Sequence, residues 1–182
     1  SAFRNSYKDF ISSNFIGMSG PVSLYQNQNI DDVEIHGAEA TAFLYFGENW
    51  RMRSSIAYAM GRDQETSQHL DSIDPVNLVN SLRYDSTSGN WGGELFWTVV
   101  ADKTKVSSDS VTGADGYQVL DAVADLRIGD SLSVRVGVFN IFDEEYARWQ
   151  SIQGLNKVTA ANTILNNYQP GINLRLGINA NF

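Results

Sequence analysis

Cysteine is absent from this chain of 182 residues, which removes disulfides, thiolate nucleophiles and Cys-ligated zinc together. Histidine occurs only at His36 and His69, too few for a site built from several imidazoles. Proline occurs three times, so little interrupts a strand. No run reaches the ~18 consecutive apolar residues of a membrane-spanning helix. That excludes a helical membrane protein and leaves a barrel open, since every barrel strand has one polar face. Positive charge is also short. Thirteen Lys and Arg against 21 Asp and Glu leave a net charge of −8, the wrong sign for nucleic acid. The chain opens at Ser1 with neither an initiator Met nor a signal peptide, and so reads as a piece of a longer protein or a processed product.

What the chain does have is alternation. Over 172–182, Ile172, Leu174, Leu176, Ile178, Ala180 and Phe182 fall on one face of a strand, and Asn173, Arg175, Gly177, Asn179 and Asn181 on the other. Aromatic residues make up 12% of the chain and favour strands. Strand-like runs are expected at about 2–13, 22–46, 50–62, 71–85, 91–105, 117–128, 132–146 and 168–182. No amphipathic helix of convincing length appears. A shift of parity between Ile35 and Ala38, beside His36, predicts a bulge.

Alternation alone fits either a sandwich, with apolar faces turned inward, or a barrel in lipid, with apolar faces turned outward. The connections favour the barrel. Short links at Gly47–Asn49, Ser86–Asn90 and Gly129–Ser131 alternate with long ones at about 14–21, 63–70, 106–116 and 147–167. Outer-membrane barrels alternate tight periplasmic turns with long outside loops in this way. Phe46, Trp50, Tyr84, Trp91 and Phe182 flank the short turns, and Tyr25, Tyr58, Tyr117, Tyr146, Trp149 and Tyr168 lie near the long loops, as two interfacial girdles require. Two rivals stay open: a self-contained eight-stranded barrel, structural or adhesive, and a soluble β-sandwich binding module.

The run Asn140, Ile141, Phe142, Asp143 and Tyr146 resembles the penultimate strand of TonB-dependent outer-membrane receptors as it leaves the barrel for the last outside loop. Trp149 with Gly154-Leu155, the stretch Leu70–Pro75 with Leu82-Arg83-Tyr84, Trp91–Leu95 and Tyr7–Ile11 resemble the haem/haemoglobin-receptor branch. Arg175, Gly177, Ala180 and Phe182 resemble the signal read by the barrel assembly machinery, an edge strand offered for β-augmentation.

The resemblance implies an all-β chain, an antiparallel up-and-down meander of about eight strands within a Gram-negative outer-membrane barrel of about 22 strands. On this reading, residues 1–182 form the C-terminal portion of the barrel domain, without the plug and the earlier strands. It implies import of an iron-containing ligand, haem or a haem protein, with haem as cargo and no tightly bound cofactor. Membrane lipid surrounds the barrel, and TonB engages the absent plug. No enzyme activity and no nucleic-acid partner are expected. With two open edges and a bare apolar face, the fragment alone is expected to self-associate.

Candidate ligand contacts are His69 and, on the last long loop, Trp149, Gln153, Asn156 and Lys157. For His69, a haem-iron ligand or a triad member is the sharp reading, and a solvated loop histidine the simpler one. Arg51, Arg53, Arg83, Arg127, Arg135 and Arg175 are expected on the wet face. They would serve there as a basic wall for an anion or, more simply, pair with Glu39, Glu94, Asp121 and Asp125.

Overall fold

The computed structural model describes residues 1–20 and 22–180. They form a single antiparallel sheet of eight strands in sequence order. The strands are β1 (Ala2–Ser19), β2 (Val22–Phe46), β3 (Trp50–Asp63), β4 (Asn77–Asp85), β5 (Trp91–Val100), β6 (Tyr117–Ile128), β7 (Leu132–Phe139) and β8 (Asn173–Ala180). Two short helices, α1 (Trp149–Ile152) and α2 (Ala160–Asn166), lie between β7 and β8.

The register shows why this sequence makes one two-faced wall. A continuous cross-strand row runs Leu44, Met52, Leu82, Leu95, Ala122, Val138, Leu174, apolar throughout. The adjacent row, on the opposite face, runs Tyr45, Arg51, Arg83, Glu94, Val123, Gly137, Arg175. Because the side-chain period is two, one register aligns grease with grease on every strand.

Nothing covers the apolar face. Leu174, Leu176 and Ile178 are 75%, 68% and 66% exposed, and Trp91, Leu95 and Trp97 are bare as well. The buried apolar side chains lie mainly in the long loops, among them Leu70, Val111, Trp149, Ile152 and Ala160. A sandwich buries its apolar faces between two sheets, and the described residues form one sheet. Among the described residues β1 and β8 do not pair with each other, so the sheet is open and the eight strands do not close. Near the short turns, Trp50, Tyr84 and Trp91 form an aromatic ladder with ring centroids 4.8 and 5.1 Å apart.

Several expectations need correction. No bulge occurs at His36, since β2 pairs without a slip to both neighbours from Val33 to Ala38. The parity change marks where the apolar band ends. On the face of Ala38 and Ala40, the next residues along are His36 and Glu34, and Glu34 Oε2 accepts from Arg4 Nη2 at 2.6 Å. The register slip lies instead between Phe15 and Gly17 of β1.

The expected long link at 14–21 is strand as far as Ser19. β1 and β2 pair as far as Ser19 and Val22, forming a tall hairpin. Strands β4, β5, β7 and β8 are shorter than expected, because 71–76, 101–105, 140–146 and 168–172 leave the sheet and join the loops. Three of the upper aromatics are drawn into the loops, whereas Tyr58 and Tyr168 stay exposed. Tyr117 stacks on Tyr146 with centroids 4.1 Å apart, Tyr25 bonds to a loop carbonyl, and Trp149 is buried. Phe182 and Asn181 lie outside the described residues.

Candidate functional site

The three long connections, at 64–76, 101–116 and 140–172, converge at one end of the sheet and pack together. The exit of β7 is set by Asn140, which is 3% exposed with a φ of 52°. Its backbone N–H donates to Asp121 Oδ1 at 2.8 Å, and its side chain donates to the carbonyls of Glu144 (2.9 Å) and Pro170 (3.2 Å). Asn140 Oδ1 accepts the Glu144 N–H at 2.9 Å, and Asp143 Oδ1 accepts the Ile172 N–H at 2.8 Å. Asn tolerates the left-handed region because its side chain bonds locally, and here it clamps both legs of the last loop.

Above that clamp sits a small apolar core of Ala147, Trp149 and Ile152, with Val106, Ala114, Leu155 and Ile164 packed around it. Polar bonds tie the other loops to it. Trp149 Nε1 donates to the Asp71 carbonyl at 2.7 Å. The Asp71 carboxylate accepts from Ser107 N at 2.8 Å and Ser107 Oγ at 2.6 Å. Lys103 is 7% exposed. Its ammonium donates to the Ile73 carbonyl at 2.7 Å and lies 5.4 Å from the Trp149 ring centroid. Burial pushes the Lys103 pKa below the ordinary lysine value, against the pull of Asp71 and Asp74. Backbone bonds from Thr112 N to Leu155 O and from Lys157 N to Ser110 O, both 2.8 Å, stitch the second loop to the third. Tyr25 OH, on the tall hairpin, donates to Gly154 O at 3.0 Å.

A cleft of about 470 Å³ opens between the second and third loops, lined by Asp102, Lys103, Tyr146, Ile152, Lys157 and Tyr168 among others. A second of about 140 Å³ lies beside His69, Leu70, Lys103 and Lys105. His69 Nδ1 is buried with no hydrogen-bond partner among the described residues. Burial, and then the charges of Arg62, Lys105 and Lys103, hold the His69 pKa below that of an ordinary histidine, so the ring is neutral near pH 7. Among the described residues no group of three or more His, Asp or Glu has the arrangement of a metal site.

Residues 1–141 match the family profile described as TonB dependent receptor-like, beta-barrel. The chain belongs to this family. A TonB-dependent receptor barrel resides in the outer membrane, so the bare apolar face meets lipid and the converging loops lie outside.

Hemoglobin-haptoglobin utilization protein B of Neisseria meningitidis serogroup C is 24% identical over 94% of this chain and 26% of its own length. Hemoglobin-binding protein A of Haemophilus influenzae is 23% identical over the whole of this chain and 22% of its own length. Among solved structures, the copper transporter OprC superposes with a TM-score of 0.85 at 22% identity, over 98% of this chain and 28% of that one. The chain thus spans about a quarter of the length of the relatives it matches, one sector of a larger barrel.

The structure distributes the sequence-predicted contacts unevenly. Lys157 is exposed and lines the larger cleft. Gln153 is exposed on the same loop. Asn156 turns its Oδ1 back to the Val158 N–H at 2.9 Å. Trp149 is 3% exposed and holds the loops together, so its indole is not on the loop surface. His69 lines the smaller cleft, and none of the other four does. Arg175 and Gly177 are on the wet face of β8, and Ala180 pairs with Leu132. Asp71, Lys103 and Ser107 were missed. The sequence signal available was an acid and a lysine among other loop charges such as Asp74, Asp102 and Lys105, which resembles ordinary surface composition.

Proposed function

We propose that residues 1–182 are the C-terminal portion of the barrel domain of a receptor that captures an iron-containing ligand, haem or a haem protein, and imports it. The observation that carries this reading is that the haemoglobin-binding relatives align over 94–100% of this chain. The loop cluster supports it physically. A contact surface tied by buried bonds loses little entropy when a partner docks, and so binds better than a floppy one. The 149–167 segment, with Gln153 and Lys157 exposed on it, presents the contact face; no bond is made or broken in the ligand. TonB supplies energy through the part of the receptor outside this chain. The barrel assembly machinery reads Arg175, Gly177, Ala180 and Phe182.

The test uses the full-length receptor in detergent. Replacing 150–167 by a short Gly-Ser link is expected to weaken haemoglobin binding at least tenfold in surface plasmon resonance. The barrel should still migrate as a folded, heat-modifiable band. Unchanged affinity with a folded barrel would remove this loop from the ligand site.

A further inference from the structure

Away from its rims, the lipid face of β2–β8 has one polar interruption. Ser54 of β3 and Asn80 of β4 are direct cross-strand neighbours on it, in the row Ala42, Ser54, Asn80, Trp97, Leu120. Leu78 and Leu82 flank Asn80 on its own strand. Asn80 is four residues from Tyr84 of the aromatic ladder. That is about 13 Å along the strand, or about 10 Å of depth at a tilt near 40°. The apolar band of such a barrel is about 25 Å tall, so the carboxamide sits near its middle.

Lipid tails offer no hydrogen bond at that depth, and water does not reach it. A carboxamide has two N–H donors and a carbonyl acceptor. Among the described residues the Asn80 side chain makes no hydrogen bond. The Ser54 hydroxyl beside it can meet only part of the demand. The rest of the barrel cannot supply the remainder. β4 has three strands before it in the sheet and four after it, so both its neighbours are in place. Further strands join at the sheet edges, and whatever fills the bore lies against the opposite face. The missing partner therefore comes from another protein within the hydrocarbon layer.

We propose that the lipid face of β3–β5, centred on Asn80, is the interface through which two copies of the receptor associate in the outer membrane. A two-fold axis along the membrane normal brings equal depths together, so Asn80 of one copy meets Asn80 of the other. Two amides so placed exchange N–H···O bonds in both directions, the self-complementary pairing that a two-fold contact requires. Polar side chains of this kind join membrane-spanning segments to one another. The same axis sets β5 of each copy over β3 of the other. It brings Trp97, 43% exposed, toward the side of the small Ser54. A shallow apolar groove of about 500 Å³, lined by Met52, Leu82, Leu95 and Leu120 among others, leaves room there. The interface does not depend on which ligand the outside loops capture.

The test uses the full-length receptor in its own outer membrane, with the photo-crosslinker p-benzoylphenylalanine in place of Leu82. Irradiation is expected to give an adduct of twice the receptor's mass, joined to β3–β5 peptides of the second copy in peptide mass spectrometry. The same label in place of Leu176, on the lipid face of β8, should give at least tenfold less. Asn80→Leu, close to asparagine in size, should lower the yield at position 82 at least tenfold while the barrel stays heat-modifiable. No adduct at position 82, or an equal yield from position 176, overturns the proposal. So does an adduct to a different protein, or a yield that Asn80→Leu leaves unchanged.

Discussion

Trp149 sets how firmly the outside loops are joined, and removing it gives a calculable result. A buried indole removes about 150–250 Å² from water, which at about 25 cal/mol/Å² corresponds to about 4–6 kcal/mol. Trp149→Ala keeps the Cβ and lets the site partly collapse, so the expected loss is about 3–5 kcal/mol. The Asp71 carbonyl also loses its donor, and the Lys103 ammonium loses the ring beneath it. These terms overlap and do not simply add. About 4 kcal/mol is roughly three powers of ten in a local opening equilibrium. The assay is amide hydrogen exchange on the full-length receptor in detergent, followed at Thr112 and Lys157, whose N–H groups join the second and third loops. Both should lose about a thousandfold in protection, while β6 and β7 amides exchange as before, because loops open independently of a sheet. Trp149→Phe keeps most of the apolar area and should cost only about 1–2 kcal/mol. Unchanged loop exchange in the alanine variant would refute the argument that the indole joins the loops. Equal loss in the strands would show that the loops are no separate unit.

Other perturbations separate the remaining parts. Leu176→Arg puts a charge on the lipid face and should cost about 2–4 kcal/mol if near the bilayer midplane, read as a loss of heat-modifiable folded band. Asn140→Ala strands two backbone carbonyls and one backbone donor and forces an alanine into a φ of 52°. It should speed proteolysis within 140–172 well beyond wild type while the barrel stays folded. For His69 the folded pKa is lowered, so the unfolded loop binds more protons below its pKa of about 6.5. Loop protection should therefore be unaffected by His69 above about pH 7 and fall as the pH drops toward 5, and His69→Gln should flatten that slope. The isolated chain without detergent should sediment as aggregates, given its bare apolar face and two open edges; a sharp monomer boundary would count against that.

The wall was legible because a period of two in residues such as Leu174, Leu176 and Ile178 maps directly onto one face, and neither tertiary packing nor distant residues are needed to read it. Strand ends were less legible. Residues 101–105 and 140–146 continue the composition of their strands, yet loop packing draws them off the sheet. The parity change at His36 was visible, but its cause was misassigned, since a bulge and an exit from the apolar band leave the same trace in sequence. The loop cluster was largely invisible. Trp149 stood out by type, but its burial depends on Asp71 and Lys103, which are 78 and 46 residues away in sequence. Among the arginines, pairing was foreseen for the set; the structure grants it to Arg83 and Arg51, and among the described residues no carboxylate lies within ion-pair distance of Arg127, Arg135 or Arg175.

From β2 to β8 the pairing runs without one slipped residue. A wall with no crease has no place to flex cheaply; widening this sector would mean unzipping a whole ladder at once. The bore here is therefore of fixed gauge, and the traffic it admits must be governed by what fills it and what caps it.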